Sequence, residues 1–216
     1  MFLMRRLMRA LFYLLYHPFA GSYDLVAAAV SLGHWTDWVR SVLPFLTGPR
    51  LLELGFGPGH LQLSLRDRAY AVFGLDESRQ MVALTRSRLR LGASQRLNLA
   101  RGLTAHLPFA PRSFDTIVAT FPAEFIFEMQ TLGEIRRALK PSGRLVVLPM
   151  AWHSGKRLLS RLMAWVFRLT GETPGPFERT SQHLAGRLEA AGYSVVVHRL
   201  EMRTATLLVL EAQIPP

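Results

Sequence analysis

At 216 residues the chain suits one large domain, or one domain with appendages, and with half its residues hydrophobic it cannot be disordered in the main. It has no cysteine, so disulfides, thiolate metal sites and cysteine nucleophiles are excluded, and no close cluster of His and acidic residues predicts a metal. The 26 basic against 15 acidic residues give a net charge of +11, which fits either a GC-rich genome or an anionic partner such as a membrane surface or nucleic acid.

The N-terminal residues 2–16 place Met4, Leu7, Met8, Leu11, Phe12 and Leu15 at helical spacing, with Arg5, Arg6 and Arg9 off that stripe. This predicts a basic amphipathic helix able to touch a membrane peripherally. Its apolar run is too short to span one, since a span needs about 20 apolar residues, and a signal peptide stays open as the other reading of the segment. Tyr23–Leu43 predicts a second helical region, broken around Gly33 and ended near Pro44. Residues 1–45 therefore form an N-terminal helical part, a cap or membrane contact, ahead of a domain over 46–216.

From Arg50 strands and helices alternate. RLLELG, YAVFGLD, LNLAR, FDTIVAT and RLVVLPM predict buried strands; HLQLSLRDR, SRQMVALTRSRLRLG and EFIFEMQTLGEIRRALK predict the helices between them, the last ended by PSG. An insertion over 151–181 carries its own helix near 155–169, with Arg157, Arg161 and Arg168 on one face; it packs on the core, covers a pocket or touches a membrane. SQHLAGRLEAAGY predicts a final helix, and SVVVHRLEM and TATLLVLEAQ an antiparallel hairpin at the sheet edge. The expected fold is α/β: a Rossmann-like sheet of seven mostly parallel strands with an antiparallel C-terminal hairpin and helices on both faces.

Gly55, Gly57 and Gly59 fall between the first strand and the following helix, where bare backbone allows a tight turn and close approach of a ligand. A dinucleotide fingerprint requires its third glycine at position 60, which is His60. Asp76, at the end of the next strand, can accept hydrogen bonds from both hydroxyls of a ribose, or cap the helix after it. Glu53 brings a carboxylate to the loop that would repel a pyrophosphate and suit an ammonium group. Together these residues point to an adenosine that carries a cation.

LLELGFGPG resembles motif I of the class I S-adenosylmethionine-dependent methyltransferases, and GLDESRQMVALTRSRL resembles their second segment. RGLTAHLPFAPRSFDTIVATF and EIRRALKPSGRLVVL are similar to their later motifs, so the likeness runs over about residues 50–150. YDLVAAAVSLGHWTDW, more briefly, resembles the segment before motif I in the quinone-biosynthesis C-methyltransferases of the type 11 group. The resemblance implies S-adenosylmethionine as cofactor, held by Glu53, Gly55, Phe56, Gly57 and Gly59, by Asp76, Glu77 and Met81, and by Leu103, Thr104 and Thr120. One departure stands out: where the family has G-D-A this chain has Gly102-Leu103-Thr104, so the acid that receives the adenine amino group is absent and Thr104 is the polar substitute.

Methyl transfer from a sulfonium needs proximity and orientation more than a dedicated triad. Candidate catalytic groups are Glu124, after the strand FDTIVAT, His153, after RLVVLPM, and Tyr23 upstream; each has a plain structural reading as well. His60 and His106 are loop histidines near the same pocket. The expected function is methyl transfer to a small or lipid-like acceptor, of quinone or phospholipid class, by a cytoplasmic enzyme at or near the inner membrane face. Arg interleaved with apolar residues favours that over an RNA or protein acceptor, which remains the alternative together with a non-catalytic cofactor-binding module.

Overall fold

The computed structural model describes residues 23–66, 68, 70–90, 98–153 and 175–215. The amphipathic helix expected over 2–16, the insertion helix near 155–169 and the end of the helix expected over SRQMVALTRSRLRLG lie outside the described residues. Helix α1 (Tyr23–Ser31) and helix α2 (Trp35–Arg40) are separated at the break expected around Gly33, where Leu32 and Gly33 both take left-handed backbone, at φ 55° and 83°. A short 3-10 turn (Leu43–Phe45) then leads into β1 (Arg50–Leu54).

The sheet is built from β1, β2 (Ala71–Asp76), β3 (Asn98–Arg101), β4 (Phe114–Thr120), β5 (Leu139–His153), β6 (Ser194–Glu201) and β7 (Ala205–Gln213), in the spatial order 3-2-1-4-5-7-6. Only β7 runs against its neighbours, so the expected mostly parallel sheet and antiparallel hairpin are both present. The helices between strands are α3 (His60–Leu65), α4 (Arg79–Arg90), α5 (Met129–Ala138) and α6 (Phe177–Ala190).

Alternation along the strands sorts the core into two faces. Leu52, Leu54, Ile117 and Ala119 pack with Leu132 and Ile135 of α5 and Leu188 of α6. Leu51 and Val118 face the other way and pack with Trp38 and Val39 of α2, with Val42 just after it, and with Leu61 and Leu65 of α3. Strand β7 contributes to both, Leu208 and Leu210 to the first and Leu207 and Val209 to the second, which is why it reads as an unbroken apolar run.

Several boundaries differ from the sequence expectation: β5 runs on to His153 and α6 begins at Phe177, both inside the expected 151–181 insertion, and α5 departs at each of its ends. The helix expected over 124–140 is a 3-10 turn (Glu124–Phe127) followed by α5, with Glu128 extended at the join (φ −71°, ψ 137°). The break lets Ile126 and Phe127 bury while Phe125 lies against the glycine loop. At the other end Leu139 is already extended and pairs with Phe114, because Lys140 precedes Pro141 and is pushed out of the helical region. The ladder loses register there and resumes at Thr116–Arg144. Lys140 Nζ meets Asp115 Oδ1 at 2.7 Å, and Asp115 Oδ2 accepts from the Arg50 amide at 3.0 Å. No helix among the described residues is long and apolar enough to cross a membrane.

Candidate cofactor-binding site

The parallel strands all end on one edge, and between β1 and β4 the chain order reverses, which is where an open α/β sheet leaves a crevice. The loop over 55–59 fills the mouth of that crevice. Its three glycines take φ of 66°, 50° and 84°, so peptide groups turn at every second residue. At Gly59 the requirement is doubled: an added Cβ would sit 2.5 Å from Thr85 Cγ2. Gly33, with nearly the same φ, would meet nothing within 4 Å. Gly59→Ala is therefore expected to cost about 2–4 kcal/mol and Gly33→Ala about 1–2 kcal/mol, backbone strain alone. Equal losses in urea denaturation would count against the Thr85 contact.

Asp76 fastens this loop. Its Oδ2 accepts the Gly57 amide and its Oδ1 accepts the Ser78 amide, both at 2.8 Å. The side chain is half-buried, which leaves part of it accessible to a ligand. From behind, Thr85 Oγ1 donates to the Gly57 carbonyl at 2.8 Å. Gly57 is thus held by both peptide groups.

Glu53 is 2% exposed, and Gln62 Nε2 donates to its Oε2 at 2.9 Å. It takes part in no ion pair among the described residues. Burial pushes its carboxyl up to about 8; the Gln62 amide works against the rise and the Asp76 charge adds to it. A buried acid beside a second acid, with no cation paired to it among the described residues, fits a ligand that brings its own positive charge. Gln62 was not legible as a site residue, although it interrupts the apolar side of α3 beside Leu61 and Leu65.

The outer side of the loop carries a second polar group. Asp24 of α1 accepts from Arg88 of α4 and lies 3.0 Å from His60 Nε2, while Arg88 Nη1 donates to the Pro58 carbonyl at 3.1 Å. Burial opposes the Asp24 charge, but Arg88 and then His60 outweigh it and hold the carboxyl below its ordinary range. Burial pushes the His60 imidazole down in spite of Asp24.

The remaining expected residues are placed unevenly. Phe56 and Met81 are buried, Phe56 among Val82, Leu89 and Leu99, so only the Phe56 backbone faces the loop. Glu77 is exposed, and Leu103 is exposed on the loop after β3. Thr104 Oγ1 lies 3.3 Å from Thr131 Oγ1, and Thr120 closes β4 opposite Leu148. Phe125, unforeseen from the sequence, packs its ring over Gly55, where an added Cβ would lie 3.2 Å from Cζ.

Past the end of β4, Phe121 adopts φ 48°, left-handed for a bulky residue, and its ring lies 4.5 Å from Trp35 and 6.2 Å from Trp38. Trp38 in turn meets His153 at 5.4 Å. Burial lowers the His153 pKa against a hydrogen bond to the Val30 carbonyl, and its Nδ1 is buried with no partner among the described residues. Glu124 is exposed, Tyr23 opens α1, and His106 is exposed beside Gln130. A separate cleft of about 820 Å³ between α2 and the β6–β7 turn, floored by Trp38, Phe45, Leu200 and Met202, includes none of the loop residues. No group of three or more metal-ligating side chains occurs among the described residues.

A model of the methyltransferase domain family matches residues 52–147. The demethylmenaquinone methyltransferase of Thermotoga maritima is 31% identical over 174 residues, covering 76% of this chain and 74% of its own. That of Thermobifida fusca is 27% identical over 207 residues, covering 86% and 87%. Among solved structures, a SAM-dependent methyltransferase from Thermotoga maritima superposes with a TM-score of 0.65 at 18% identity, over 94% of this chain and 99% of that one.

Proposed function

Because this chain belongs to the S-adenosylmethionine-dependent methyltransferases, in the family of the demethylmenaquinone methyltransferases, we propose that it methylates a ring carbon of a lipid-like quinol. The observation that carries the cofactor half of this reading is the buried, cation-free Glu53 across the glycine loop from Asp76. In the proposed arrangement Glu53 receives the ammonium group, Asp76 the ribose hydroxyls, and Gly55, Gly57 and Gly59 line the path between them. Leu103 and Thr104 border the adenine, and Thr120 the sulfonium end. Bound there, the cofactor supplies a methyl group activated by sulfonium charge for in-line displacement and departs as the neutral thioether.

The relatives' names support a quinone acceptor, and the Trp35–Phe121–Trp38 cluster offers flat apolar faces near the end of β4. Such faces favour a planar ring by stacking and area burial. Among the candidate bases, His153 alone combines a lowered pKa with an unpartnered nitrogen, so it is neutral at pH 7 and able to take the proton that leaves the ring carbon.

The test uses methyl-labelled cofactor and a demethylated naphthoquinol dispersed in detergent, with mass spectrometry of the product. Label on the ring carbon, reduced at least about tenfold by Trp35→Ala, is the expected result. Cofactor binding without transfer to any quinol, or transfer to RNA instead, would overturn the acceptor.

A further inference from the structure

We propose that Asp24, from the N-terminal helix α1, is a positioning residue for the cofactor loop, acting through Arg88 on the Pro58 carbonyl and through His60 on the start of α3. The proposal rests on reading the 55–59 loop as the cofactor site. Three elements distant in sequence meet at this point. Asp24 comes from α1, His60 is the first residue of α3, and Arg88 lies in the last turn of α4. The Asp24 carboxylate bridges the Arg88 guanidinium and the His60 imidazole, with Oδ2 on Arg88 and Oδ1 shared between His60 Nε2 at 3.0 Å and Arg88 Nη1 at 3.4 Å. Arg88 Nη1 also donates to Pro58, between the left-handed Gly57 and Gly59.

The geometry is that of a clamp. The inner side of the loop is held by Asp76 and Thr85 at Gly57. Among the described hydrogen bonds the Pro58 carbonyl is held by Arg88 alone, from the outer side. The guanidinium is planar and presents its donors in a fixed fork. With one edge on Asp24 and one nitrogen on Pro58, its orientation is set by the carboxylate. Losing the Asp24 carboxylate leaves Arg88 free to rotate and the His60 imidazole without its hydrogen-bond acceptor, so the loop samples backbone states that do not match the ligand. The cost falls on affinity, since preorganisation of a site lowers what binding must supply.

The experiment measures S-adenosylhomocysteine binding by calorimetry and thermal stability in parallel, on the full chain and on Asp24→Asn, Arg88→Met, the double variant and Asp24→Glu. Asp24→Asn is expected to weaken binding about tenfold, Arg88→Met at least as much, and the double variant no more than Arg88→Met. Asp24→Glu restores part of the loss. Ser31→Ala, which removes the buried Ser31–Ala27 hydrogen bond inside α1, serves as control and is expected to lower the melting temperature with affinity unchanged. If Asp24→Asn lowers the melting temperature but leaves the affinity at the wild-type value, Asp24 merely anchors α1 and the proposal is overturned. Additive losses in the double variant overturn the route through Arg88. If the unaltered protein fails to bind S-adenosylhomocysteine, the cofactor-site reading falls instead, and this inference with it.

Discussion

Glu53→Gln is expected to raise the melting temperature of the ligand-free protein at pH 8 while weakening its hold on S-adenosylmethionine. The folded carboxyl titrates near 8 against an ordinary value of 4.5. Between those values the unfolded chain releases the Glu53 proton and the folded chain keeps it. Stability contributed by this group is therefore intact below 4.5 and falls as pH rises, until the folded form ionises too near 8. Each unit of the shift from 4.5 to about 8 corresponds to about 1.4 kcal/mol, so the penalty at pH 8 is on the order of 4–5 kcal/mol. A glutamine has no proton to lose, keeps the Gln62 contact and escapes the penalty. A gain of roughly 10–20 °C at pH 8, shrinking to nothing by pH 4–5, is the expected difference between variant and wild type. Parallel melting curves across pH would show that Glu53 is already ionised. In the wild type an ammonium ligand would draw the carboxylate into its charged form, so binding at pH 7 should release a proton. Calorimetric enthalpy would then depend on the buffer, and lose that dependence in Glu53→Gln.

Asp76→Ala is expected to lower S-adenosylhomocysteine affinity by at least about a hundredfold, since two charge-assisted contacts to a ribose are worth about 3 kcal/mol or more together. The same substitution strips the Gly57 and Ser78 amides of their acceptor, and about 1–3 kcal/mol of stability should go with them. Asp76→Asn should lie between, because its amide nitrogen must face one of two N–H donors. Removing the Asp76 charge also relieves part of the upward push on Glu53. The two effects are thus coupled: in Asp76→Ala the stability gained from Glu53→Gln should be smaller than in the wild type. Independent effects would mean that the two acids do not sense one another across the loop.

Much of the candidate site is legible in the sequence because it depends on local spacing. Gly55, Gly57, Gly59 and Asp76 occupy a strand–turn–helix and a strand end, and burial patterns along RLLEL and AVFGLD locate both strands. What escaped the sequence depends on contacts between distant segments. Gln62 looks like an ordinary polar residue until β1 places Glu53 against it, and Arg88 looks like part of a solvated helix face until α1 brings Asp24 to it. The helix expected over 124–140 broke for a related reason: its apolar residues have helical periodicity, but Phe125 is drawn to Gly55, and Pro141 acts one residue upstream of itself. Phe56 and Met81 match the family motif in sequence, yet their side chains serve the core.

The placement of β7 between β5 and β6 has a consequence for biosynthesis. As the chain leaves the ribosome, β6 emerges before the strand it pairs with, and β5 waits with one edge bare until β7 follows. An apolar, unpaired strand edge is a template for association with other chains. A chain halted before residue 205 would display that edge permanently, so incomplete translation products should partition into aggregates and chaperone complexes, whereas the finished sheet seals β5 between β4 and β7.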